Sequence, residues 1–245
     1  MNKNLVIFLV ISFISTILYG RILWYLSEKS KVFKKLVFFI MPYLKIYDKD
    51  KLSIIILNFI YLFFGLIIII FFAFFYDFNF LAFFKINKLI FSYIILGFAA
   101  EISLIGLFTF MMKALKSKWN IYETMKNIPW IEAIYNLPKI IRYFSPSLAG
   151  FIEECFFRGI LFLILFEIFK IKPLFCIIYI TILFILHQIL QTKTKAQAIL
   201  IGSSSFAISL VGSILVIITN SILPAAIVHA CFVMFYFISE PPKDV

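Results

Sequence analysis

The sequence predicts an all-α protein, a polytopic membrane helical bundle of about seven to eight transmembrane helices. Three observations carry that reading. Apolar residues make up 64% of the chain and charged residues only 14%, against roughly 45–50% and about 25% in soluble domains. The mean hydropathy is +1.07. The apolar residues also gather in runs near or above the ~20 residues that a spanning helix needs.

Seven spans follow in order, at about 5–26, 52–76, 89–112, 146–169, 174–190, 196–219 and 221–238. The first could pass for a signal peptide, but it lacks a small-x-small cleavage site and reads as a retained span. The fifth and seventh are short, and Pro224 should bend the last near its start. Residues 36–43 are too few to cross and are expected to lie in the interface or re-enter. No repeat or soluble module interrupts the pattern, so residues 1–245 read as a single integral-membrane domain.

Charge gives an orientation. The net charge of +11 would suggest nucleic acid on a soluble protein. Here the basic residues lie between apolar runs, which marks them as topology signals and anionic-lipid contacts. No nucleic-acid-binding module is visible. The loops after the first and third spans hold seven and six Lys or Arg. Lys193, Lys195 and Lys243 fall on the same side, making 16 there against 5 on the other. Basic loops stay in the cytoplasm, so the expected protein is multi-pass in the cell membrane, N-terminus outside and C-terminus cytoplasmic. Lys3 alone argues the reverse. Residues 113–144 mix Trp and Tyr with Lys and Arg, as a helix on the inner leaflet would, or alternatively a substrate guide. Cys155, Cys176 and Cys231 show no CxxC spacing and read as small hydrophobes.

Ionisable groups inside spans are costly and therefore informative. They are Arg21, Glu101, Glu153, Glu154, Arg158, His187 and His229, and the two histidines are the only ones in the chain. Ser145-Pro146 reads as an N-cap and first-turn proline for the fourth span. Glu154 and Arg158, four apart, share a helical face and should pair, which leaves Glu153 turned away from that pair. Gly150 and Gly159 would admit close neighbours. Glu153 lies ~10 Å along the helix from Pro146, at ~1.5 Å per residue. The fifth and seventh spans bring His187 and His229 to a similar depth, so one polar cavity opening toward the cytoplasm is expected. Arg21 and Glu101 are expected to pair with each other or to line a polar gap.

The order Glu153-Glu154-x-x-x-Arg158, then His187, then His229, resembles the CAAX-protease and bacteriocin-processing family of intramembrane endopeptidases. The motifs occupy 145–238. The resemblance implies an enzyme that hydrolyses a peptide bond near the C-terminus or leader of a membrane-associated peptide or protein. Glu153 would be the base activating water, with His187 helping to hold it. His229 would stabilise the oxyanion, and Glu154 and Arg158 would support. The family pattern has Phe four residues before the first histidine, where this chain has Leu183. It has Asn or Asp four after the second, where this chain has Val233; Tyr236 or Gln188 is the candidate substitute donor. A three-ligand zinc site from Glu153, His187 and His229 is the alternative to a metal-free glutamate mechanism, which the absence of an HExxH motif favours. Val233 also motivates a different class of function, a non-catalytic membrane partner such as an immunity or chaperone-like protein. A proton-coupled transporter would need paired inverted repeats, and none is visible.

Overall fold

The computed structural model describes residues 3–44, 48–116 and 119–238. Of the basic residues used for orientation, Lys45, Lys118 and Lys243 lie outside the described residues. Among those described, the architecture is all-α. Four helices are long and apolar enough to cross a membrane over Lys3–Ile22, Lys49–Phe75, Ile90–Leu115 and Lys195–Thr219. The first of these belongs to α1 (Lys3–Lys29), and the others are α3, α4 and α9. Pro173–Ile189 (α8) and Leu223–Ile238 (α10) are shorter apolar helices. These six, with the rod that begins at α7 (Lys139–Glu154), account for the seven expected spans. Large apolar side chains such as Phe63, Phe74, Phe91 and Phe110 point outward. Over so much surface, that arrangement suits lipid and not water. The chain is a multi-pass membrane protein.

Two sequence expectations about helix ends are corrected. α7 begins after Pro138, not at Ser145, and runs through Pro146 as an interior residue. Pro138, with φ −52° and ψ 142°, already supplies the chain break, so the rod starts earlier. In α10, Pro224 is the second residue. There its missing N–H has no intrahelical partner to lose, so it starts the helix instead of bending it. The segment expected in the interface is longer than 36–43: it is the end of α2 (Lys31–Leu44), which packs on α3.

The rod then changes its winding. Beyond Glu154 the backbone is π-helical over Cys155–Phe162 and again over Ile164–Ile168. Each π segment closes i→i+5 bonds, an uncommon geometry frequent at functional sites. Every residue from Ile152 to Leu165 is buried. The surrounding helices explain this. The rod packs on α3 and α10; α10 packs on α4 and α9; α9 packs on α8; and α8 meets α1, which returns to α3. The rod that carries Glu153 and Glu154 is thus the inner member of the bundle. Small residues let its neighbours approach. A Cβ on Gly150 would lie 3.4 Å from the His229 ring, and one on Gly159 would lie 3.0 Å from Ile222.

The described residues of 113–144 run from the end of α4 through α5 (Ile121–Lys126) and α6 (Pro129–Tyr135) into the start of α7. Asn120 caps α5 by accepting from the Glu123 N–H. Ile128, Ile131 and Ile134 form a second small core with Ile55, Ile201 and Phe237. That cluster ties α5–α6 to three spans rather than leaving it on the surface alone.

Candidate active site

Glu153, at the end of α7, is 6% exposed, and its small exposed area faces a cavity. The cavity encloses about 500 Å³. Its polar lining includes Glu153, His229, Tyr61, Gln188 and Tyr236. Most of the remaining wall is apolar, and Tyr122, Met125, Trp130 and Ile131 of α5–α6 form one side of it. The aromatic segment therefore borders the site directly.

The two carboxyl groups of the Glu-Glu pair point into two different hydrogen-bond systems. Glu153 Oε1 accepts from the Tyr61 hydroxyl at 2.5 Å. Glu153 Oε2 accepts from the Gln188 side-chain amide at 2.8 Å. His187 Nε2 is 2.8 Å from the Tyr61 hydroxyl and 3.5 Å from Glu153 Oε1. His187 is fully buried and is not among the cavity-lining residues, so Tyr61 stands between it and Glu153.

Glu154, about 100° further round the rod, is fully buried. Its Oε1 is 3.0 Å from Arg158 Nη1 and accepts from His229 Nδ1 at 2.9 Å. The guanidinium also lies over the Phe184 ring, 4.5 Å from its centroid. Gly212 of α9 is the floor of this cluster: a Cβ there would sit 3.1 Å from Glu154 Oε2 and 3.3 Å from Arg158 Nε. The expected Glu154–Arg158 pair is present. Its second role, orienting His229, did not follow from the sequence. With Nδ1 engaged, His229 Nε2 is the ring nitrogen left without a protein hydrogen bond among the described residues.

Several sequence expectations change here. Glu153, His187 and His229 do gather about one site: His229 lines the cavity directly, with Nδ1 held by Glu154, whereas His187 is buried behind Tyr61. The zinc alternative does not fit. Among the described residues no group of three His, Cys, Asp or Glu side chains is placed to hold a metal ion, and His229 directs Nδ1 to Glu154 instead of toward Glu153. Glu101 and Arg21 are not partners. Arg21 is exposed, whereas Glu101 is 1% exposed on α4, with Oε2 unpartnered. Gln188 donates to Glu153 and Tyr236 is hydrogen-bonded to Tyr135; both line the cavity, as does Val233.

Sequence reasoning missed Tyr61, and Tyr19 behind it. Tyr19 stacks on Tyr61 at 4.5 Å between centroids and lies 4.8 Å from the His187 ring. The α1–α8 contact is equally close: a Cβ on Gly20 would meet the His187 carbonyl oxygen at 2.8 Å and Nδ1 at 3.2 Å. Backbone cannot yield as a flexible side chain can. Gly20→Ala is therefore expected to cost about 1–3 kcal/mol, the usual range for overpacking, measured by thermal melting in detergent.

A family model described as Type II CAAX prenyl endopeptidase Rce1-like matches residues 138–235. That stretch covers the whole Glu-Glu rod, His187 and His229. Over that stretch the chain is similar to the type II CAAX prenyl endopeptidases that the model describes. Neither a curated protein nor a solved structure matches the chain.

Proposed function

We propose that the protein is an intramembrane endopeptidase that hydrolyses a peptide bond near the C-terminus or leader of a membrane-associated substrate. One observation carries the reading: Glu153 meets a partly enclosed, largely apolar cavity with one carboxylate edge, while its other contacts fix it from behind. A water at that edge lies within reach of a base whose orientation is already set, and an extended peptide fits a space of about 500 Å³ better than a folded loop does. Glu153 takes a proton from the water as its oxygen attacks the scissile carbonyl carbon. Glu153 then returns the proton to the leaving amine when the C–N bond breaks. His229 lies beside the developing oxyanion. In the tautomer that Glu154 fixes, Nε2 offers a lone pair, so it donates to the oxyanion only as the doubly protonated ring, whose charge Glu154 offsets. Tyr236, hydrogen-bonded to Tyr135, and Gln188, which donates to Glu153, each reach the oxyanion as an additional donor only by turning from that partner. The cavity opens toward the cytoplasm in the orientation that the basic loops favour.

The test is cleavage of a prenylated CAAX-type reporter peptide by protein reconstituted in liposomes, wild type against Glu153→Gln. Retention of full cleavage in Glu153→Gln refutes the base assignment.

Val233 supports the second reading, a non-catalytic membrane partner, because valine donates no hydrogen bond at a position beside the cavity. Val233→Asn separates the two. If a missing oxyanion donor limits turnover, the substitution is expected to raise kcat by up to ~10²-fold. If neither wild type nor Val233→Asn cleaves any reporter, and Glu153→Gln keeps biological function, the partner reading stands.

A further inference from the structure

Tyr61 has a single hydroxyl hydrogen and two neighbours that want to use it. Glu153 Oε1, when ionised, only accepts, and lies at 2.5 Å. The hydrogen therefore goes to Glu153. The Tyr61 oxygen is left to accept, and His187 Nε2 lies 2.8 Å from it; the Gln191 side-chain amide makes a longer contact with the same Nε2 at 3.4 Å, and a flip of that amide presents its oxygen as a second acceptor. His187 must then carry its hydrogen on Nε2. The opposite ring nitrogen agrees with this assignment. Nδ1 is buried without a partner, packed against the backbone at Gly20. A buried N–H with no acceptor loses a strong bond to water, whereas a bare lone pair there is the less costly loss.

We infer that Tyr61 is a positioning residue of the site: it accepts from His187 Nε2–H at 2.8 Å and donates to Glu153 Oε1 at 2.5 Å, so that His187 acts on the carboxylate chiefly through Tyr61, its own approach to Oε1 being the longer one at 3.5 Å. The inference rests on the proposed role of Glu153 and assigns His187 a different task from touching water. Hydrogen bonds arranged head to tail polarise one another. A donor behind Tyr61 therefore strengthens the bond that Tyr61 gives to Glu153. Together with Gln188 on Oε2, this leaves the carboxylate no freedom to rotate. The aromatic stack of Tyr19 on Tyr61 and against His187 holds the ring that makes the link. Gly65 makes room for Tyr19, since a Cβ there would come within 2.6 Å of its hydroxyl.

The chain has only two histidines, so ring-¹⁵N-histidine labelling of the whole protein in nanodiscs gives two ring spectra. His187→Gln assigns them. His187 is expected to bear hydrogen on Nε2 and to shift in Tyr61→Phe, while His229, held through Nδ1, stays in place. A His187 ring with a lone pair on Nε2, or one that ignores Tyr61→Phe, overturns the proposal without any substrate.

Turnover of the CAAX-type reporter gives the second arm. Tyr61→Phe is expected to lower kcat about 10- to 100-fold, the common cost of losing an outer partner of a reacting group, with KM within about threefold. Adding His187→Leu to Tyr61→Phe is expected to cause little further loss, because only the longer 3.5 Å approach of Nε2 to Oε1 remains between them. His187→Gln, which keeps a donor near Nε2, is expected to retain more activity than His187→Leu in the wild-type background. Multiplying losses in the double variant, or equal loss in His187→Gln and His187→Leu, show direct action of His187 and overturn the inference while leaving Glu153 as base. Full activity in Glu153→Gln instead removes the reading on which it rests. Should Tyr61→Phe fail to fold, the comparison of the two His187 variants and the wild-type ring spectrum still decide the matter.

Discussion

Glu153→Gln is expected to lose reporter cleavage by at least ~10²–10⁴-fold, the range for removing a general base, while inserting and melting like wild type. The structure makes the substitution unusually clean. Gln keeps the length and shape of Glu. Its Oε1 accepts from Tyr61 as before, so the Tyr61–His187 link survives. The neighbouring Glu154–Arg158–His229 system has its own contacts and keeps its charge. What is lost is the capacity to take a proton from water and return it to the leaving amine. Gln188 is the one neighbour that must adjust, because the new amide group meets its donor; that contact lies at the cavity wall, where a side chain can turn. Normal melting with abolished cleavage therefore assigns the loss to proton transfer. Normal melting with normal cleavage sinks the mechanism.

How much of this site the sequence disclosed depends on how each contact is encoded. Glu153, Glu154 and Arg158 lie within six residues, and helical spacing is enough to pair the last two and turn the first away. His187 and His229 stand out because ionisable groups in apolar helices are rare and costly. Tyr61 had no such contrast. It is one of 12 tyrosines in a chain rich in aromatics, and it meets Glu153 across 92 positions of sequence. The Glu154–His229 bond was hidden for a related reason. Once Arg158 explained Glu154 locally, nothing in the spacing asked for a second partner. The π-helical winding after Glu154 is invisible to a reading built on 3.6 residues per turn, although the i, i+4 pairing of Glu154 and Arg158 survives it. The same local habit placed the start of α7 at Ser145, where Pro138 had already set it. The seven helical rods were legible because long apolar runs need no tertiary information to be recognised.

Glu154→Gln is expected to harm folding before it harms chemistry. Both Glu154 and Arg158 are fully buried, so water screens neither. Removing the carboxylate charge leaves the guanidinium uncompensated in the bundle interior, at a cost of about 3–5 kcal/mol. The Phe184 face beneath Arg158 returns only a part of that, because a cation–π contact is worth about 2 kcal/mol when desolvated. Gly212 leaves no space for Arg158 to move away on the α9 side. Folded yield and melting temperature in detergent should fall together. His229 also loses its anionic acceptor, so any folded fraction should turn over more slowly than wild type, but less severely than Glu153→Gln. The charge argument has its own control. Arg158→Met in the Glu154→Gln background removes the orphaned cation and keeps an unbranched apolar stem in its place. The double variant should therefore melt higher than Glu154→Gln alone, since replacing both members of a buried pair is often close to neutral. If the double variant is the less stable of the two, packing rather than the unpaired charge accounts for the loss. Purified Glu154→Gln that melts like wild type and cleaves nothing reverses the roles assigned to the two glutamates.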